Sequence, residues 1–131
     1  MVEGSKYDFP VISGDDRQVA GPSLDEAEFG DVTTHGETLF EYVGGDWKKG
    51  VRGEPVGTLT LVHSPTMVKG RVFVRAIFVF DDGDTVEYGG LVPGNGSWKG
   101  KGRFGYRGGT GKFAEPRGEI QVESTNPKLW G

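Results

Sequence analysis

A chain of 131 residues with a formal charge of −4 suits one domain and can bury a core without covalent staples. It has no cysteine, which excludes a disulfide framework, a thiolate metal site and a cysteine nucleophile. The acidic balance argues against nucleic acid as a partner, because nucleic-acid binders carry a basic face.

Residues 1–34 differ from the rest. Gly14-Asp15-Asp16, Gly21-Pro22-Ser23 and Gly30-Asp31 punctuate them, and only Tyr7 to Ile12 has strand character. Ser23 with Glu26 three residues on has the form of a capping box. The segment is expected to be an N-terminal arm or lid across a barrel formed by residues 35–131. Met1 to Phe9 has no apolar run, so no signal peptide is expected and the assigned compartment is the cytoplasm. No stretch approaches the length of a membrane helix, so no membrane insertion is expected.

From Gly36 on, strand signals come at short intervals. The expected strands are 37–43, 56–63, 71–80, 85–92, 97–106 and 117–123, with a short closing strand near 126–130. Glycine makes up 24 of the 131 residues, far above the usual share of about 7%. Its interleaving with Phe, Tyr, Trp and Val speaks for strands and against low-complexity disorder. Asp82-Gly83 and Asn95-Gly96 are hairpin signals. Seven or eight short antiparallel strands give a barrel or a sandwich, all-β in class.

Period two sorts the faces. Trp98, Gly100, Gly102, Phe104 and Tyr106 share one face, expected inside, and Lys99, Lys101 and Arg103 share the other. Glu119, Gln121 and Glu123 could meet that basic row across strands. Arg71 to Phe80 is apolar on both faces, with Val72, Val74, Ala76, Phe78 and Phe80 on one and Phe73, Ile77 and Val79 on the other. A strand apolar on both sides is covered on both sides. The barrel interior covers one face, and a partner subunit or the N-terminal arm covers the other, so a homo-oligomer is expected.

Letter matches to nucleotide motifs fail on context. Gly100 to Gly105 reads GxGxxG, but it lies in a period-two stretch with no helix after it. The Asp81 to Asp84 turn lacks the twelve-residue loop of a calcium hand. His35 and His63 are the two histidines, and their spacing gives no metal site. His63 shares a face with Leu59 and Leu61, so it can look into a barrel mouth. The polar groups on otherwise apolar strands are Glu41, Tyr42, Arg75, Glu87, Tyr88, Trp98 and Tyr106. A phenol in an apolar cavity can hydrogen-bond a ligand oxygen or act as a weak acid. A buried glutamate can serve as acid or base. The alternative for Glu41 and Glu87 is an outer-face ion pair with Arg71 or Arg75.

Gly108 to Glu119, GGTGKFAEPRGE, resembles the signature loop of the allene oxide cyclase and dirigent barrel proteins. Tyr42 to Val51, the Phe80 to Asp84 turn and Asn126 to Leu129 extend the resemblance over about residues 40–130. It implies an eight-stranded antiparallel β-barrel, often dimeric or trimeric, with a lipophilic interior that steers ring closures without a cofactor. Gly14 to Pro22 departs from the catalytic motif of the plant enzymes, so their carboxylate and amide are not carried over.

These readings converge on a cofactor-free cyclase or isomerase acting on a lipophilic oxygenated or polyketide-derived molecule. Tyr106, Tyr88, His63 and Glu87 are the candidate catalytic groups. Trp98, Phe104, Phe78, Phe80, Val74 and Tyr42 are the candidate cavity residues. A non-catalytic lipophile-binding or dirigent-like barrel is the competing reading.

Overall fold

The computed structural model describes residues 4–7, 9–22, 26–68, 71–93, 100–114 and 119–124. They form a closed eight-stranded antiparallel barrel in which each strand pairs with its neighbours in sequence. The strands are β1 (Ser5–Tyr7), β2 (Val11–Ala20), β3 (Thr33–Glu41), β4 (Pro55–Pro65), β5 (Arg71–Phe80), β6 (Thr85–Pro93), β7 (Gly100–Gly109) and β8 (Glu119–Ser124). Two single 3-10 turns, Trp47–Lys49 and Gly111–Phe113, are the helical elements among the described residues. The barrel closes where Ser5, Lys6 and Tyr7 of β1 lie opposite Ser124, Glu123 and Val122 of β8.

The N-terminal segment corrects the expectation of an arm. Residues 1–34 supply β1 and β2, two of the eight staves. The reason is local. The β2–β3 register shifts between Gly14 and Gln18, a β-bulge that breaks the period of two. Gly14-Asp15-Asp16, which has turn composition, is that bulge. The Ser23 capping box, the Asn95-Gly96 turn, Trp98 and the 126–130 strand lie outside the described residues.

β5 is the clearest stave. Its exposure alternates strictly, with Val72, Val74, Ala76, Phe78 and Phe80 buried and the residues between them outside. Opposite Phe78 stand Leu59 on β4 and Val86 on β6, both fully buried. Burying each such side chain contributes roughly 1.5–3 kcal/mol. Gly90 of β6 also faces inward, and its absent side chain matters. A Cβ there would lie 2.8 Å from Cδ1 of Phe104, so glycine lets that ring rest on the β6 backbone.

Aromatic rings fill one end of the interior. Tyr7 meets Phe78 edge-on at 4.6 Å between centroids, and Phe9 meets Phe78 at 5.3 Å. Phe113, from the 3-10 turn after the glycine loop, stacks on Phe80 at 5.3 Å and tilts against Phe9 at 5.5 Å. Gly108 and Gly111 carry positive φ there, which bends the chain so that Phe113 closes the end. Lys112 ties this turn to Asp82 at 3.1 Å across the β5–β6 hairpin, and Gly83 takes the positive φ of that hairpin.

A second, smaller cluster lies outside the barrel. Ile12 of β2, Phe40 of β3 and Trp47 are buried together with Tyr42 against them. Asp46 accepts from the Lys48 backbone N–H at the start of the Trp47 turn. Lys6 lies 4.1 Å over the Tyr42 ring, and Arg52 lies 3.9 Å over Phe40. Tyr42 therefore packs on the outer wall and corrects the expectation that it lines the interior. Strand β3 ends at Glu41, before Tyr42, so the period of two does not carry through it.

Candidate functional site

The barrel interior has a polar layer set into its apolar lining. Inward positions of β3 run Thr33, His35, Glu37, Leu39, facing His63, Leu61, Leu59 and Gly57 of β4. His35 and His63 are buried, at 1% and 0% exposure, and stand diagonally on adjacent strands. His63 is flanked on its other side by Val74 of β5. Tyr88 of β6 lies opposite Ala76, one interior level along from Val74 and Gly90. Tyr7 of β1 and Ser13 of β2 bring two more polar side chains inside, with their hydroxyl oxygens 3.5 Å apart.

Electrostatics follow from burial. Loss of water is the main reason the His63 imidazole is pushed down to about 3. The nearby His35 ring lowers it further, and a hydrogen bond with the Thr33 backbone offsets part of this. His63 is thus neutral at neutral pH, able to donate from one nitrogen and accept at the other. Tyr88 is held well above the ordinary phenol range, first by burial, then by Tyr7, and further by the Glu37 carboxylate. It stays a phenol and a hydrogen-bond donor. Tyr7 hydrogen-bonds Tyr88, so Glu37, Tyr88, Tyr7 and Ser13 form one polar sequence across the interior.

Apolar rings bound this layer. Tyr88 packs on Phe104 at 5.1 Å and on Phe78 at 5.5 Å between centroids. The loops beyond Thr33 and His63 carry exposed apolar side chains at that end, with Phe29 at 69% and Met67 at 84% exposure. A half-buried carboxylate, two phenols and two imidazoles beside a wall of rings can donate to an oxygen and accept from a carbon acid or hydroxyl.

Of the residues expected from sequence, Tyr88 and His63 are both buried at interior positions, on β6 and β4. Phe78, Phe80, Phe104 and Val74 line the interior. Tyr106 sits half-buried at the opposite, ring-filled end, where its hydroxyl donates to the Phe113 carbonyl. Glu87 faces outward, its Oε1 2.6 Å from Nε of Arg75. Glu41 is exposed at the end of β3. Trp98 lies outside the described residues. His35, Glu37 and Tyr7 were not expected at the site. The signal for two of them was present, since Thr33, His35, Glu37 and Leu39 alternate with period two, provided the strand starts at Thr33.

Among the described residues no helix is long and apolar enough to cross a membrane, and no three His, Asp or Glu side chains group to hold a metal ion. The chain matches no family model, no curated protein and no solved structure. The fold defines the class: a closed eight-stranded antiparallel barrel with a titratable layer in its interior.

Proposed function

We propose that this barrel binds a small lipophilic, oxygenated or polyketide-derived molecule and directs its ring closure or isomerisation without a cofactor. The observation that carries this reading is the polar layer, with Glu37, Tyr7, Tyr88, His35 and His63 set among interior side chains that are otherwise largely apolar. The rings of Phe78 and Phe104 press a flexible chain toward a reactive shape, which is catalysis by orientation. The Tyr88 phenol donates to oxygen as negative charge develops on it. Glu37 moves the proton that an enolisation or ring closure displaces. The outer face of β5 and β6, with Phe73, Ile77, Val79 and Leu91, is the surface on which copies of the chain would associate.

A non-catalytic carrier is the second reading, favoured by the exposed apolar side chains of Phe29, Val32, Met67 and Val68 at the polar end. Native mass spectrometry with a panel of polyenes and oxylipins, followed by isomer analysis of the eluted ligand, separates the two. A bound compound released as a different isomer supports the cyclase or isomerase. A compound released unchanged supports the carrier, and no bound mass supports a barrel filled by its own side chains. For an enzyme, Glu37→Gln and Tyr88→Phe should each lower turnover by about 10²-fold or more while binding persists.

A further inference from the structure

The end of the barrel that carries the polar layer presents an apolar strip to its surroundings. Thr33 of β3 lies opposite His63 of β4, and Pro65 of β4 lies opposite Val72 of β5, so the β2–β3 and β4–β5 loops leave the sheet side by side. Phe29 and Val32 are exposed on the first loop, Met67 and Val68 on the second. Both loops are held in place. The Glu28 N–H donates to Oδ2 of Asp31 at 2.8 Å, and the Asp31 N–H donates to the Glu28 carbonyl at 2.9 Å. Phe29 therefore stands at the tip of a turn whose positive φ falls on Gly30. Behind Met67 and Val68, the Thr66 hydroxyl accepts from the Val68 N–H at 3.2 Å, and the Thr66 N–H donates to the Arg71 carbonyl at 3.0 Å. Apolar side chains on ordered loops lose little freedom when a partner covers them.

The charges beside the strip select the partner. Residues 21–33 hold Asp25, Glu26, Glu28 and Asp31 and no basic residue, while residues 64–71 hold Lys69 and Arg71 and no acidic one. Glu26, Glu28 and Arg71 are exposed. An anionic surface is repelled by the first loop and a cationic surface by the second. A second copy of the chain satisfies both. A twofold axis through this end sets the acidic loop of each copy on the basic loop of the other, with apolar tips between them. We propose that two copies associate end to end through the β2–β3 and β4–β5 loops. Phe29, Val32, Met67 and Val68 form the centre of the contact, and Glu28 of each copy faces Arg71 of the other. The contact is separate from the β5–β6 wall and is the same whether the barrel is an enzyme or a carrier.

The test is sedimentation velocity of the full-length protein. Between ~1 and ~200 μM it should pass from monomer to dimer, with a dissociation constant on the order of 10 μM, as suits a small interface. Glu28→Arg and Arg71→Glu each set like charges against each other twice, so each variant should stay monomeric across that range. An equimolar mixture of the two restores both opposite-charge pairs and should dimerise again. Met67→Asp, which changes neither charge of the pair, should also be monomeric. Circular dichroism checks that the variants fold. A wild-type protein that stays monomeric overturns the proposal, and flotation of that monomer with phosphatidylcholine vesicles assigns the strip to a bilayer instead. A dimer that survives both charge reversals also overturns it and moves association to the β5–β6 wall. Variants that remain monomeric when mixed overturn the pairing of the two loops.

Discussion

The two ends of the barrel interior are built from the same alternating staves and do opposite work. At one end Phe9, Phe78, Phe80 and Phe113 interlock, and the Tyr106 hydroxyl is spent on the Phe113 carbonyl. At the other, the interior positions that could have carried Val or Leu carry Thr33, His35, Glu37 and His63. Burying such groups costs stability unless they are hydrogen-bonded, as Thr33 is to the Pro22 carbonyl and His63 to the Thr33 backbone. The ring-filled end supplies the folding energy, and the polar layer is what that energy supports.

The sharpest way to break this division is at the centre of the ring-filled end. Phe78 is fully buried and touches Tyr7, Phe9, Phe80 and Tyr88. Phe78→Ala should cost about 3–5 kcal/mol, read from the urea midpoint at constant slope. A loss below about 1 kcal/mol would mean that the rings are not the stabilising half.

The polar layer should show itself through pH. The folded-state value of His63 lies near 3, below its ordinary 6.5, so the unfolded chain binds the proton more readily. Stability from this group is complete above about pH 6.5, falls as pH drops below it, and is spent once pH passes below about 3. The shift corresponds to a loss on the order of 5 kcal/mol. Urea unfolding at pH 7, 5 and 4 measures it. His63→Leu should flatten that slope, and an unchanged slope in the variant would assign the acid sensitivity to other groups.

Tyr106 and Tyr88 separate the two ends more finely, since the sequence presents them as equals. Tyr106→Phe removes one hydroxyl that holds the closing turn, and should lose about 1 kcal/mol of stability with no change in ligand selectivity. Denaturation together with native mass spectrometry of ligand binding checks both halves of that expectation. If the Tyr106 variant changed selectivity, the ring-filled end would belong to the site as well.

Much of the fold was legible because strands with one buried face write their own pattern. β5 alternates without a break, and His63, Leu59 and Leu61 share a face as their spacing required. The glycine loop before Phe113 also behaves as its composition dictates. What stayed hidden was hidden by irregularity. The β2 bulge gave a barrel stave the look of a loop. The strand expected from residue 37 starts four residues earlier, at Thr33, so His35 fell outside any expected strand. Convergence of His35, Glu37 and Tyr88 needs the β3–β4–β5–β6 registers together, and no single segment contains that information. Glu87 is legible only as a choice between two faces, and its cross-strand partner decided it.

That choice yields the mildest prediction. Arg75 and Glu87 are diagonal neighbours, two residues out of register across β5 and β6, and their charged atoms meet at 2.6 Å on a half-exposed outer surface. A pair there is solvated and screened, so its Coulomb attraction is largely offset by water and by the entropy of holding two long side chains. Glu87→Gln should leave ligand binding and turnover unchanged and move the unfolding midpoint little, with what shift there is fading as salt is raised to 1 M. Glu37→Gln, also a single charge removed from a glutamate on this barrel, should do the reverse, lowering turnover while binding persists. A Glu87 variant that altered ligand choice would show that charge on the outer wall reaches the interior, and the division between the two faces of the sheet would fail with it.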